Sequence, residues 1–136
     1  MNNNINIRKI TDDDYAFINK WWVDNGKEIP PLTWLPEKGL GGLIIEKEKP
    51  IAAAYIYTTN SSIGYIDFLI SDPNYKSKDR FNVLLSLFEA CLKQSHDLGY
   101  SIVWAMTDIR GVIERATEIG FSVHRTDLSV ITYSFK

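Results

Sequence analysis

The hydrophobic positions of the chain change period several times, and each change marks an expected element. Ile5, Ile7 and Ile10 stand among charged residues as a short strand ending at Thr11. Thr11-Asp12-Asp13-Asp14 reads as a helix start, because Thr11 can cap and carboxylates favour the positive end of the helix dipole. Tyr15, Phe17, Ile18, Trp21 and Trp22 follow at helical spacing, and Asn25-Gly26 stops that helix. Pro30, Pro31 and Pro36 argue against a regular helix beyond Ile29, where the element order keeps at most a short one. Trp34 and Leu35 are more apolar than a loop needs, as a lid or cleft wall would be.

Three closely spaced strands are predicted next, Leu43–Lys47, Ile51–Thr58 and Ile63–Ser71, with turns at Lys49-Pro50 and Asn60-Ser61-Ser62. Ala52-Ala53-Ala54 gives the second of them a thin surface on which another element can pack closely. A helix from about Asp79 to His96 carries the stripe Val83, Leu84, Leu87, Phe88, Cys91 and Leu92. Ser101–Thr107 follows as a buried-type strand, then a shorter helix from Gly111 to Ile119 closed by Gly120. Phe121–His124 and Leu128–Phe135 are expected as a last strand pair. The predicted order is β-α-α-β-β-β-α-β-α-β-β, an α/β domain with a mixed, mostly antiparallel central sheet and helices on both faces.

At 136 residues and 45% hydrophobic, the chain suits a single domain spanning residues 1–136, with a substantial core. Fifteen basic and seventeen acidic side chains leave a net charge of −2, so nucleic acid is not the favoured partner. One cysteine and two histidines exclude a disulfide framework and predict no metal site. No apolar run approaches the ~20 residues of a membrane helix. The opening Met1-Asn2-Asn3-Asn4-Ile5 lacks a signal-peptide pattern, so no membrane partner and a cytoplasmic location are expected. No Walker loop, paired-cysteine motif or nucleophilic triad appears.

A strand meander feeding β-α-β-α-β-β resembles the GNAT superfamily of acyl-CoA N-acyltransferases over nearly the whole chain. Locally, Ile70 to Phe81 resembles that family's hydrophobic strand, x-Pro-x-Tyr, and phosphate loop opening a long helix. Ala116-Thr117-Glu118-Ile119-Gly120-Phe121 is similar to its helix ending in Gly-Phe. Three positions depart from the pattern: Asp79 and Phe81 stand where the family has glycines, and Lys76 where it has arginine or glutamine. A degenerate phosphate loop of this kind is also compatible with a phage-type member.

The resemblance implies acetyl-CoA as co-substrate and an amine acceptor, small molecule or protein, meeting it in a ternary complex. Unpaired N–H groups at a helix start bind pyrophosphate, and Lys76, Lys78 and Arg80 add charge beside Ser77 and Asp79. The same run also reads as a solvated basic turn. By the resemblance, backbone at Leu69, Ile70 and Ser71 holds the thioester carbonyl, and Phe81, Thr107 and Asp108 border the cofactor. Asp67 is the expected general base, with Tyr65 two residues away on the same strand face. A structural acid paired with a lysine is the alternative for Asp67. Ala116 falls where the family often has a tyrosine acid, which leaves Tyr133, Thr107 or water for that role.

Adjacent Trp21 and Trp22 are not expected to face the core together, so one of them, with Trp34 and His124, is assigned to the acceptor side. Trp22 is the one carried forward; His124 is also readable as structural. Exposed strand edges and tryptophans favour a homodimer. Two other readings compete: a GNAT-fold binding or interaction module that has lost catalysis, and an acyltransferase-like enzyme acting on a nucleobase.

Overall fold

The computed structural model describes residues 4–107 and 109–135. Five strands form one sheet in chain order: β1 (Ile5–Lys9), β2 (Gly42–Lys47), β3 (Lys49–Tyr57), β4 (Ile63–Ser71) and β5 (Ile102–Ala105). The first three pairings are antiparallel and β4–β5 is parallel. Three helices accompany the sheet: α1 (Tyr15–Asp24), α2 (Arg80–Asp97) and α3 (Arg110–Glu118). Tight joins leave β2, β3 and β4 adjacent, and Glu48 takes a left-handed φ of 70° to turn β2 into β3.

Side-chain alternation splits the core between the two sheet faces. Leu43, Ile45, Ala52, Ala54 and Ile56 face α2, whose stripe Val83, Leu84, Leu87 and Cys91 covers them. Ile44, Ala53, Tyr55 and Ile70 face the other way, against Ile18, Trp21 and Trp22 of α1. The alanines of β3 let both layers approach the sheet. Burial pushes the Cys91 thiol up to about 12, so it stays a neutral core side chain. The mixed sheet with a helix layer on each face is the architecture expected from the sequence. No described helix is long and apolar enough to cross a membrane.

The entry to α1 is pinned by charge. Arg8 of β1 donates to both carboxylate oxygens of Asp14, at 2.8 and 2.9 Å, and reaches Glu46 at 3.3 Å. Asp14 also accepts the Thr11 backbone N–H at 2.7 Å, which gives the acid at this helix start a structural job. Gly42 is where β2 comes closest to β3: a Cβ there would lie 2.5 Å from the Ala54 carbonyl oxygen. Gly42→Ala should therefore cost about 1–3 kcal/mol, read as a lower urea midpoint with an unchanged m-value.

Two expectations for element order are corrected. The second helix is absent as an α-helix: two 3-10 turns, Leu32–Trp34 and Pro36–Gly39, stand there, because the prolines remove N–H donors from the segment. The final strand pair does not form either. A strand exists through its ladder, and residues 121–135 pair with none, so Val130, Ile131 and Phe135 stay 78%, 89% and 92% exposed.

Candidate functional site

The site begins where β4 parts from β5. Their parallel register runs only from Ile63↔Ile102 to Ile66↔Ala105, while β4 continues alone to Ser71. On its other edge β4 bulges: Tyr55 pairs with Asp67 and Ala53 with Ile70, so one extra residue is accommodated opposite Ala54. Phe68 takes a φ of 55° to achieve this, a left-handed conformation that is costly for an aromatic residue. Asp67 holds the bulge, its Oδ1 accepting the Phe68 N–H at 2.7 Å and its Oδ2 the Tyr65 hydroxyl at 2.8 Å.

A slot of about 220 Å³ fills the gap, lined by Asp67, Leu69, Phe88, Ala105, Thr107 and Val112 among others. Backbone groups of β4 on this side have no β5 partner beyond Ile66. Next to it lies a chamber of about 420 Å³ bounded by Glu28, Ile29, Pro30, Pro31 and Trp34. Trp22 and Phe68 border both spaces, their rings edge to face at 6.3 Å. Trp34 is fixed from behind, since its carbonyl accepts the Tyr57 hydroxyl at 2.7 Å. Burial, and then the charge of Asp67, push Tyr57 up to about 12. Burial and the bond to Asp67 likewise raise Tyr65, so it remains a neutral donor near pH 7.

The start of α2 is the second part of the site. The N–H groups of Phe81 and Asn82 meet no protein acceptor among the described residues. Asp79 stands at the N-cap position of α2, but its side chain makes no cap hydrogen bond. It forms an ion pair with Lys47 and accepts the Tyr75 hydroxyl; Lys47 above all holds its carboxyl far below the usual range. Arg80 clamps the preceding loop, donating to the Asp72 and Tyr75 carbonyls and to Ser71 Oγ at 3.0, 2.8 and 2.6 Å. Lys76, Ser77 and Lys78 are exposed beside them.

Sequence reasoning missed Arg115 of α3. Its guanidinium lies 5.7 Å from the centre of the Phe81 ring, and its Nε is buried without a hydrogen-bond partner. Desolvation and the neighbouring Arg80 lower its pKa, so a cation is held here against its own hydration. Gly111, one turn earlier on α3, lies beside it; a Cβ there would make ordinary contact with the guanidinium at 3.6 Å. No local sequence pattern marks this arginine, because its role depends on α3 lying next to the start of α2.

The remaining predicted residues are dispersed. Leu69 and Thr107 line the slot, whereas the Ile70 side chain is buried on the α1 face. Asp108, expected to border the cofactor, lies outside the described residues. Trp21 and Trp22 are both buried, at 4% and 7% exposure, because Trp21 packs on Phe17 while Trp22 also meets the cleft. The expectation that only one could be inside is thus corrected. His124 and Tyr133 are exposed and border neither the slot nor the chamber, as the strands meant to carry them are absent. Among the described residues no group of His, Cys, Asp or Glu is placed to hold a metal ion.

No protein-family model matches the sequence, and no curated protein matches it. Solved structures match the fold. An acetyltransferase of Trypanosoma brucei gives a TM-score of 0.67 at 15% identity, over 94% of this chain and 99% of that one. The protein yncA of Salmonella typhimurium, solved with its cofactor acetyl-CoA, gives 0.70 at 15% identity over 90% and 82%. An aminoglycoside acetyltransferase from an uncultured soil metagenome, in complex with sisomicin, gives 0.67 at 15% identity over 98% and 98%. The chain therefore shares its fold, the GNAT fold, with these structures.

Proposed function

We propose that this protein transfers an acetyl group from acetyl-CoA to an amine, with both bound at once. The observation that carries the reading is the slot opened between β4 and β5, with Asp67 in its wall and the bare N–H groups of α2 close by in sequence. Acetyl-CoA would supply an activated thioester and negatively charged phosphates. The residues present fit those phosphates: Arg115 has a buried Nε with no acceptor, and Lys76, Lys78 and the Phe81 and Asn82 N–H groups lack one too. Asp79 would meet such a phosphate as the partner of Lys47 and not as a bare carboxylate.

In this reading Asp67 accepts the proton that the attacking amine loses. A protonated amine has no lone pair, so this acceptor decides whether attack occurs at neutral pH. Tyr65 positions the carboxylate through its hydrogen bond. Unpaired backbone of β4 beyond Ile66 is available to the carbonyl oxygen. Thr107 is the hydroxyl bordering the slot, and Ala116 has no proton to give. A thiolate leaves readily enough that a strong acid is not required.

Isothermal titration with acetyl-CoA tests this reading. Micromolar binding is expected, and Arg115→Gln should weaken it about tenfold, the scale of a charge-assisted hydrogen bond. Unchanged affinity in Arg115→Gln would move the phosphate site elsewhere. No heat and no thermal shift at millimolar ligand would leave a binding module instead of an enzyme.

A further inference from the structure

The chamber outside the slot has a chemistry of its own. Glu28 is the one acidic residue on its wall, and the rest of the lining is apolar: Trp22, Trp34, Phe68, Ile29 and prolines. Among the described residues Glu28 makes no hydrogen bond or ion pair, so its charge has no partner within the protein. Such a lining attracts a cation twice, through the carboxylate and through ring faces. The inner slot is different, because Asp67 there is accompanied by Lys27. With both signs beside it, the slot does less to hold an arriving nitrogen charged than the outer chamber does.

Two carboxylates thus stand on two adjoining spaces, with the rings of Trp22 and Phe68 common to both. The geometry points to an acceptor with two basic nitrogens joined by an apolar or aromatic body: one nitrogen reacts beside Asp67 while the other stays charged against Glu28. This inference rests on the acetyl-transfer reading and names its acceptor class. Transfer forms an amide at the inner nitrogen and breaks the thioester; coenzyme A leaves as the thiolate and takes a proton from solvent, while the nitrogen's proton passes to Asp67 and then to solvent. The outer nitrogen is unchanged. An acidic amino acid would place its carboxylates against Glu28, and a sugar would leave the rings facing hydroxyls, so neither suits this wall.

The test compares matched acceptors: p-xylylenediamine against benzylamine, and 1,4-diaminobutane against butylamine, each with acetyl-CoA. After allowance for two equivalent nitrogens, kcat/KM for each diamine should exceed that of its monoamine about tenfold, the sum of a partly exposed ion pair and a cation–ring contact. Glu28→Gln should bring that ratio close to one. Equal values for diamine and monoamine in the unaltered protein overturn the assignment, as does a ratio that Glu28→Gln leaves unchanged. Quenching of tryptophan fluorescence by p-xylylenediamine, without acetyl-CoA, separates the two readings. Quenching lost in Glu28→Gln, with no acetylated product from any amine, supports the diamine chamber and sinks the transfer reaction. Neither quenching nor product overturns both.

Discussion

Asp67→Asn should slow acetyl transfer by about 10²–10⁴-fold, the usual loss on removing a general base. The substitution is chosen for what it keeps. Asparagine retains a side-chain oxygen to accept the Phe68 N–H, so the bulge and the slot it opens should persist. What disappears is the second carboxylate oxygen that takes the Tyr65 hydroxyl and would take the substrate's proton. Thermal unfolding of the variant, measured beside its rate, distinguishes lost chemistry from a lost bulge. A rate within about threefold of the original, well under the lower bound for a base, would make Asp67 a purely structural acid that holds Phe68 in its unfavourable conformation. In that outcome Asp67→Ala should destabilise the fold while Asp67→Asn does not.

Arg8→Ala is expected to have the largest effect on stability, about 3 kcal/mol, the low end of the cost of breaking a buried ion pair. Asp14 is 6% exposed and would be left charged with only Thr11 as donor, while Arg8 is 32% exposed and loses less. The pH dependence supplies a second check. Hydrogen bonds from Arg8 hold the Asp14 carboxyl below its ordinary value, so its folded-state pKa is depressed. A depressed acid contributes its stabilisation in full above the ordinary carboxylate value of about 4 and loses it as pH falls toward the folded pKa. The original protein and Arg8→Ala should therefore differ most near pH 7 and converge in acid. Urea titrations at pH 7 and pH 3 would show this, and a gap that widens in acid would contradict it.

Much of the fold was legible because hydrophobic spacing records burial directly. The stripe from Val83 to Leu92 marked the packing face of α2, and Ala52-Ala53-Ala54 marked the strand on which other elements close. The neighbourhood of Tyr65 and Asp67 was legible for the same reason, as residues two apart share a strand face. The bulge was not, because no glycine marks Phe68 and its positive φ is imposed by Asp67 and the β3 register. Arg115 was hidden because its contact with Phe81 joins two helices. The final strands failed for a further reason: alternation at Leu128 to Phe135 expresses a preference, and without a partner edge there is no ladder to satisfy it.

In the proposed reaction, the wall shared by slot and chamber would link the two substrates thermodynamically. Trp22 and Phe68 border both spaces, so a ring displaced by an occupant of one alters the room offered to the other. By linkage, any factor by which the acyl donor changes affinity for the amine is the factor by which the amine changes affinity for the donor. Order of addition then has no bearing on the final occupancy, only on the rate at which it is reached. Substitutions at Phe68 or Trp22 would act on that factor itself, altering how strongly one ligand senses the other.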